Sequence, residues 1–284
     1  MNAARAAAAL AWSYLLETAR SRTALFFTLA FPQLFLFVFA FVFAGGRSRD
    51  VGFLMPGLLT LTTITSSFFG YSMRLVAERE RGAFRRLRVT PTAAGTIVGG
   101  HFLHAVLLLG LALAFQFGLG WAVFRFPVAG SAVALIAVLV AGALAFVALG
   151  LFVGCVGRDT RSAPALTNLL VFPMMFLSGS AMPFHALAPW IQQIGRFLPA
   201  TYLNEGLQRA MIQGRPLAGV AGPIAVLLLF ALVGLVLNAL LFRWESTDAL
   251  PPKRLFAGLA LLGVLIVAVA LAGPELSMSI PPPR

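Results

Sequence analysis

Seven long apolar stretches constrain this chain more than any other feature of its sequence. A helix that spans a bilayer needs about 20 consecutive, mostly apolar residues, and each stretch meets or approaches that length. The stretches cover residues 24–45, 52–73, 102–124, 127–156, 163–182, 217–242 and 255–273. Only 11% of the residues are charged, whereas a soluble domain carries about 25%. The sequence therefore predicts an all-α polytopic membrane protein with seven candidate spans.

The basic residues indicate how these spans are oriented. Fourteen of the 21 lysines and arginines lie in segments that share a side with the N-terminus, and seven lie on the other side. Because cytoplasmic loops carry the excess of positive charge, we expect the N-terminus in the cytoplasm and the protein in the cytoplasmic (inner or plasma) membrane. The net charge of +12 then reports topology and contact with membrane lipids. No soluble basic domain is long enough to predict nucleic-acid binding.

Residues 1–22 precede the first span and have the pattern of an amphipathic helix. Trp12, Leu15, Leu16 and Ala19 recur at helical spacing among alanines and a few charged residues. The pattern predicts a helix that lies on the cytoplasmic face of the membrane. A simple helical extension of the first span is the alternative interpretation.

Residues 183–215 form the longest connection on the outer side, and they are also patterned as helices. Apolar residues recur at three- and four-residue steps from Leu187 to Phe197. Pro199 then interrupts the pattern, and a second helix is predicted over 201–213. Two short helices with aromatic residues suit an interfacial or re-entrant position at the outer boundary of the membrane.

The sequence lacks the motifs of common catalytic and ATP-hydrolysing sites. Neither a G-x-x-x-x-G-K-[ST] phosphate loop nor G-x-S-x-G occurs, and the single cysteine, Cys155, has no Cys–His arrangement. We therefore expect no enzymatic activity and no cofactor in this chain. His101 and His104 could share a helix face, but no carboxylate or cysteine is near them in sequence, so polar packing is favoured over a metal site. No charged residue lies in the middle of a span, which disfavours an ion-coupled carrier.

The densest charge cluster lies between the second and third spans, at Ala77–Pro91, "AERERGAFRRLRVTP". Gly82 favours a bend, and Pro91 favours a helix break just before it. The pattern predicts a span that leaves the membrane, turns at Gly82 and continues as a short basic helix across the cytoplasmic face. The two acidic residues among the arginines favour a partner protein or an internal salt-bridge network. A lipid anchor is the alternative.

This segment resembles the signature that follows the second span of type-2 ATP-binding-cassette (ABC) exporter permeases, E-R-E-x-G-x-x-x-R-L-x-x-x-P. Two further stretches are similar to that family, in the family's order. They are Leu54–Thr62, at the start of the second span, and Phe172–Gln208, which covers the fifth span and the outer helices. The resemblance covers residues 1–245. Because such permeases usually have six spans, residues 246–284 would add a linker, a seventh span and a Pro-rich tail.

The resemblance implies a six-span type-2 ABC permease fold and a set of partners. The chain would pair with a second copy of itself, as a homodimer, and with two copies of a separate ABC ATPase subunit that binds ATP and Mg²⁺. The segment 77–91 would contact the ATPase as a coupling region. The residues implied in coupling are Glu78, Arg79, Glu80, Gly82, Arg85, Arg86, Leu87 and Pro91. A second short loop would add a minor contact through Arg158, Asp159 and Arg161.

In the resembled family, spans one, two and five line the substrate path. The candidate path residues are Thr62, Thr65, Ser66 and Phe69 of span two and Phe172, Met175 and Phe176 of span five. Together with a Phe-rich first span, they suit the export of a lipid or of a small hydrophobic or amphipathic compound such as a drug. A polysaccharide or peptide exporter is the alternative. From another class, a non-transporting membrane scaffold or assembly factor also fits an apolar chain without catalytic motifs.

Overall fold

The computed structural model describes residues 3–84, 94–157, 159–181, 184, 187–242 and 252–272, and in these ranges the regular structure is helical. We number the helices in chain order. They are α1 (Ala3–Arg20), α2 (Arg22–Val42), α3 (Ser48–Glu80), α4 (Ala94–Phe124), α5 (Ala132–Val156), α6 (Ala163–Leu177), α7 (Pro189–Gly195), α8 (Pro199–Met211), α9 (Ala221–Leu241, after a 3₁₀ turn at Leu217–Val220) and α10 (Pro252–Ala272). The predicted all-α architecture is confirmed.

Five helices of the described chain are long and apolar enough to cross a membrane: α2, α3, α4, α5 and α9 with its preceding turn. The other two predicted spans contain shorter apolar helices, over Ala163–Leu177 in α6 and Phe256–Ala270 in α10. The prediction that the fifth span extends to residue 182 is wrong, because α6 stops at Leu177 and Gly179 turns the chain with φ +80°. The fourth span starts later than predicted, since α5 begins at Ala132.

α1 is a helix separate from the first span. Ser21 has extended backbone (φ −93°, ψ 104°), and its hydroxyl accepts a hydrogen bond from Ala24 N–H at 3.2 Å. α2 therefore begins with its own N-cap, and the alternative of a continuous helical extension is wrong. α1 packs along α4, where a Cβ on Gly100 would approach Leu10 Cβ to 2.9 Å. Such close packing fixes α1 against the bundle.

α5 is the central helix of the bundle and contacts α3, α4, α8 and α9. Small residues allow a close approach to α3, since a Cβ on Gly150 would lie only 2.2 Å from Ser67 O. On the side of α9, Asn238 Nδ2 donates to Ala148 O at 2.8 Å. A buried amide in an apolar core needs such a partner. These contacts hold α3 and α9 in fixed positions on α5.

α7 and α8 lie at the end of the bundle where α3 begins. α8 is almost entirely buried and contacts α3, α5, α6 and α9. Asn204 Nδ2 donates to Gly179 O at 2.9 Å, and Thr201 Oγ1 donates to Gly195 O at 2.6 Å. Two short helices are thus present where the apolar pattern predicted them, with a first helix shorter than the pattern indicated. Their re-entrant position in a membrane stays a prediction.

α10 packs antiparallel to α9. A Cβ on Gly258, near the start of α10, would lie 3.4 Å from Leu237 Cδ2 and 3.5 Å from Leu241 Cδ1 at the end of α9. Leu265 and Val269 are buried further along α10. The 21 residues of α10 extend about 31 Å, close to the thickness of a hydrocarbon core. The seventh span stays a prediction, because the apolar part of α10, Phe256–Ala270, is shorter than the five helices that could cross a membrane.

Candidate functional site

The predicted turn at Gly82 is present at the end of α3. Gly82 has φ +69°, a left-handed conformation that favours glycine, and its N–H donates to Arg79 O at 3.0 Å. After the turn, Phe84 is fully buried, and its ring lies 5.6 Å from the Phe242 ring and 5.8 Å from the His101 ring. The chain is therefore fixed on both sides of the turn. The predicted site residues Arg85, Arg86, Leu87, Pro91 and Arg158 lie outside the described residues.

Glu78 joins α3 to α4. Its Oε1 accepts from Arg74 Nε at 2.9 Å, and its Oε2 lies 3.1 Å from His101 Nε2 of α4. The sequence shows no carboxylate near the two histidines, but the fold brings Glu78 to them from the preceding helix. The second histidine, His104, places Nε2 3.2 Å from Thr18 Oγ1 of α1. Both histidines thus contact protein groups where α1, α3 and α4 meet.

Arg74 attaches α1 to α3. Its Nη2 donates to Glu17 Oε2 at 2.5 Å and its Nη1 to Thr18 Oγ1 at 3.2 Å. The same guanidinium lies 4.9 Å from the centre of the Tyr14 ring, which stacks on His101 at a centroid distance of 4.4 Å. Burial raises the pKa of the Tyr14 phenol, so this ring stays neutral. The N-terminal helix is therefore bound to α3 and α4 by side chains.

Arg79 caps the end of α5. Its side chain is 3% exposed, and it donates from Nη1 to Gly157 O at 2.9 Å and from Nη2 to Gly154 O at 3.0 Å. The last carbonyl groups of a helix lack partners within the helix and carry partial negative charge, so a guanidinium satisfies both needs. The resemblance implied a contact between Arg79 and an ATPase, which stays a prediction. Within this chain, Arg79 binds the end of a neighbouring span.

Glu80 reaches the short loop between α5 and α6. Its Oε1 accepts from Thr160 N–H at 3.0 Å, and its Oε2 accepts from Thr160 Oγ1 at 2.8 Å. In the same loop, Asp159 Oδ1 accepts from the N–H groups of Arg161 and Ser162 at 3.1 and 2.7 Å. The Ser162 N–H contributes most to lowering the pKa of the Asp159 carboxyl. The loop predicted as a minor contact is therefore attached to the coupling segment itself.

A groove of about 500 Å³ lies between α2, α3 and α6. Its α2 wall is aromatic, and its α3 wall carries hydroxyl groups. Five of the seven predicted path residues line it: Thr62, Thr65, Ser66, Phe69 and Met175. Phe172 and Phe176 of α6 are about half exposed and are not among the described lining residues.

Both helices that form the main walls of the groove change to π-helix where they line it. The π-helical segments are Phe26–Ala30 in α2 and Ser66–Tyr71 in α3. Such segments are rare within α-helices and occur often at functional sites. The α2 wall was not assigned residue by residue from the sequence, although Phe27, Phe31 and Phe35 recur at every fourth position. Neighbouring rings in that row lie 5.7 and 5.4 Å apart.

A buried ion pair lies in α8, outside the predicted site. Glu205 is 2% exposed and pairs with Arg209 one turn later, and Arg209 Nη1 donates to Gly219 O at 3.2 Å. Burial, and then the Glu205 carboxylate, raises the pKa of Tyr202 to about 12. Sequence spacing could not reveal this pair, because opposite charges four residues apart are usual on exposed helices. The pair connects α8 to the turn before α9.

Known proteins are similar to this chain in sequence. The family model for ABC-2 type transporter matches residues 5–212, which contain the groove and the contacts around the end of α3. ABC transporter G family member 20 from Dictyostelium discoideum is 27% identical over 173 residues, or 61% of this chain and 24% of that protein. Nodulation protein J from Neorhizobium galegae is 25% identical over 205 residues, or 72% and 77%. Linearmycin resistance permease protein LnrN from Bacillus subtilis (strain 168) is 23% identical over 196 residues, or 66% and 49%.

The matched part of the family covers well over half of the chain. The chain spans about a quarter of the Dictyostelium protein and about half of LnrN. The apolar helices, the turn after α3 and the family match all indicate the same class of membrane protein. The chain belongs to the ABC-2 type transporter family.

Proposed function

We propose that this permease exports a lipid or a small hydrophobic or amphipathic compound across the cytoplasmic membrane, using ATP hydrolysed by a separate subunit. The observation that carries the proposal is the groove between α2, α3 and α6. Its described lining includes no carboxylate, no histidine and no basic side chain. A charged group bound there would lose water without gaining a counter-charge, so the lining favours an uncharged ligand.

The two walls of the groove also suggest the shape of the ligand. The row from Phe27 to Phe35 extends about 12 Å along α2, which suits a long apolar edge. On the opposite wall, Thr65 Oγ1 donates to Leu61 O at 2.9 Å. A hydroxyl that donates in this way still has lone pairs free to accept, so the ligand would present hydroxyl or amide donors on its other edge.

The name of one relative supports the same substrate class. LnrN carries linearmycin resistance in its name, which is consistent with export of a drug-like compound. A polysaccharide would need a more polar path than the groove offers, and a peptide would bring charged termini into an uncharged lining. Both alternatives are therefore less well supported by the groove.

The partner arrangement follows from the coupling segment and from α2. We place the ATPase against the segment 77–91, which turns at Gly82. Asp159 and Arg161 of the adjacent loop would add to the same contact. Because the ATPase is cytoplasmic in this arrangement, the N-terminus would also lie in the cytoplasm. Only 22% of the most apolar window of α2 is buried, so a second copy of the chain would cover the rest and complete a homodimer with two ATPase subunits. Residues 1–245 would form the permease domain, with α10 as an added span.

Export is tested with the permease and its co-purified ATPase in inverted membrane vesicles. The probes are NBD-labelled ceramide, which is uncharged, and NBD-labelled phosphatidic acid, which is anionic. We expect ATP-dependent uptake of the uncharged probe, with an apparent affinity that falls about tenfold in Phe31→Ala, because a buried aromatic contact is lost. Val133→Ala, on the exposed face of α5, should leave that affinity unchanged.

Two results would contradict the proposal in different ways. Equal uptake of the two probes would contradict the substrate class. A permease that co-purifies with no ATPase would contradict ATP-driven export and favour a membrane scaffold.

A further inference from the structure

Three consecutive residues at the end of α3 bind three different parts of the molecule. Glu78 contacts His101 of α4, and Arg79 binds the carbonyl end of α5. Glu80 binds Thr160 in the loop before α6. Successive residues of an α-helix point about 100° apart, so three in a row cover most of its circumference. α3 is therefore attached to three neighbouring segments within a single helical turn.

We infer that Glu78, Arg79 and Glu80 are positioning residues that form an internal junction, through which a displacement of the segment after Gly82 moves α4, α5 and α6 together with α3. The inference rests on the proposed function, because the ATPase would impose the displacement. It assigns contact with the ATPase to the turn and the residues after it. Arg79 is buried, and both carboxylate oxygens of Glu80 accept hydrogen bonds from Thr160.

The contacts of the junction make it stiff. Arg79 uses two N–H groups of a planar guanidinium, and charge-assisted hydrogen bonds of this kind are stronger than neutral ones. Glu80 accepts two bonds from one residue, which fixes both the distance and the direction of the loop. Beyond the turn, the buried ring of Phe84 keeps Gly82 from acting as a loose hinge. A displacement after the turn would therefore reach the bundle without being absorbed there.

The junction lies on the same helix as the α3 wall of the groove. It follows the π-helical segment Ser66–Tyr71 by about two turns. α3 touches α5 at both levels, because Gly150 packs on Ser67 O and Arg79 binds Gly154 O. α3 and α5 should thus move as a pair. Through Thr160 the same movement would reach α6, which carries the groove residue Met175.

The test uses the complete complex of this chain with its co-purified ATPase in lipid nanodiscs. The reporter is Gly70→Cys in a Cys155→Ser background, because Gly70 lines the groove and a Cβ there would meet nothing within 4 Å. Its rate of reaction with N-ethylmaleimide is measured without nucleotide and after trapping with ATP and vanadate. In the reporter chain with an intact junction, we expect trapping to change the rate roughly fivefold or more.

Five variants separate the junction from contact with the ATPase. Glu80→Ala should remove most of the nucleotide-dependent change and Thr160→Val part of it, because Thr160→Val removes the Oγ1 donor but keeps the backbone N–H donor. In both variants the ATPase should co-purify as before. The double variant should lose no more than Glu80→Ala alone, since that change already removes both hydrogen bonds. Thr160→Ser keeps the hydroxyl and should keep the change. Arg20→Ala removes an exposed charge on α1, outside both the junction and the segment 77–91, and should also keep it.

The outcomes distinguish a failure of the junction from a failure of the proposed function. Loss of the ATPase from Glu80→Ala, but not from Thr160→Val, would overturn the inference and make Glu80 an ATPase contact, with the proposed function intact. A nucleotide-dependent change that persists in both variants, or that is absent from the intact junction, would also overturn the inference. A reporter chain that binds no ATPase would instead contradict the proposed function.

Discussion

α2 and α3 form the two main walls of one groove, yet the chain supports them very differently. In the most apolar window of each helix, 78% of the residues of α3 are buried, against 22% of those of α2. In those windows α3 is the less apolar of the two helices. Lipid tails are as apolar as a protein core, so hydropathy does not decide which span is buried. α3 is part of the folded core, and α2 is a boundary whose outer face is not covered by the described part of the chain.

The two helices also differ in how they accommodate their side chains. Thr60, Thr63 and Ser72 of α3 are buried, and each hydroxyl donates to the carbonyl four residues earlier, at 2.9, 2.8 and 2.6 Å. Hydroxyls paired in this way do not need water. α2 instead packs neighbouring phenylalanine rings against each other along its own length, mostly tilted or edge-on. Support from inside the chain, and not apolarity, thus distinguishes the core span α3 from the boundary span α2.

The largest expected effect comes from two adjacent phenylalanines of α3. Phe68 is 1% exposed and its ring lies edge-on to Phe146 of α5 at 6.3 Å, whereas Phe69 is 38% exposed and lines the groove. Phe68→Ala should lower the free energy of unfolding by about 3–5 kcal/mol, because it leaves a cavity in the core. Phe69→Ala should lower it by about 1 kcal/mol or less. Thermal unfolding of the purified chain in detergent measures both.

Ligand binding should respond in the opposite order. Phe69→Ala should weaken binding of the uncharged NBD-ceramide probe. Equal losses of stability in the two variants would show that the groove wall is as much a part of the core as Phe68. The contrast between a core face and a ligand face of α3 would then be lost.

A smaller effect is expected where α3 and α5 touch through backbone. Gly150→Ala would place a Cβ 2.2 Å from Ser67 O, and overpacking of this kind costs about 1–3 kcal/mol. Alanine improves helix propensity by about 1 kcal/mol at most, so we expect a net loss in the free energy of unfolding. Gly70→Ala is the matched control, because its Cβ would meet nothing within 4 Å. A stabilising Gly150→Ala would show that α3 can move away from α5 at little cost.

The spans and the turn could be predicted from sequence because their signals are local. Apolar runs of about 20 residues identify membrane helices whatever they pack against, and Gly82 stands where the backbone needs a positive φ. The contacts of the junction could not be predicted in this way. Arg79 binds Gly157, 78 residues away, and Glu80 binds Thr160, 80 residues away. Pairings between residues so far apart depend on how the helices pack, and that packing cannot be predicted from a single sequence.

In the groove, too, some residues could be predicted from the sequence and others could not. A row of hydroxyl residues one turn apart identified the α3 wall. On α6, only Met175 of the three predicted residues is among the described lining residues. Phe172 and Phe176 are four residues apart and share a face that is rotated by about 60–100° from Met175. Three residues can be close in sequence and still not share a face, so composition alone did not predict which of them line the groove.

The smallest effect concerns the loop that attaches α3, but not α2, to α6. Backbone N–H groups, chiefly that of Ser162, lower the pKa of Asp159 below its ordinary value of 3.8. A pKa lowered by folding means that the stabilisation is present at neutral pH and is lost as the pH falls through the folded pKa. Acidification towards about pH 3 should therefore reduce the hydrogen-exchange protection of the Ser162 amide. Asp159→Asn keeps an acceptor oxygen without titrating in this range, so it should remove that pH dependence. If protection in α2 declined in parallel, acid would be weakening the whole bundle, and the separate attachment of α3 would not explain the effect.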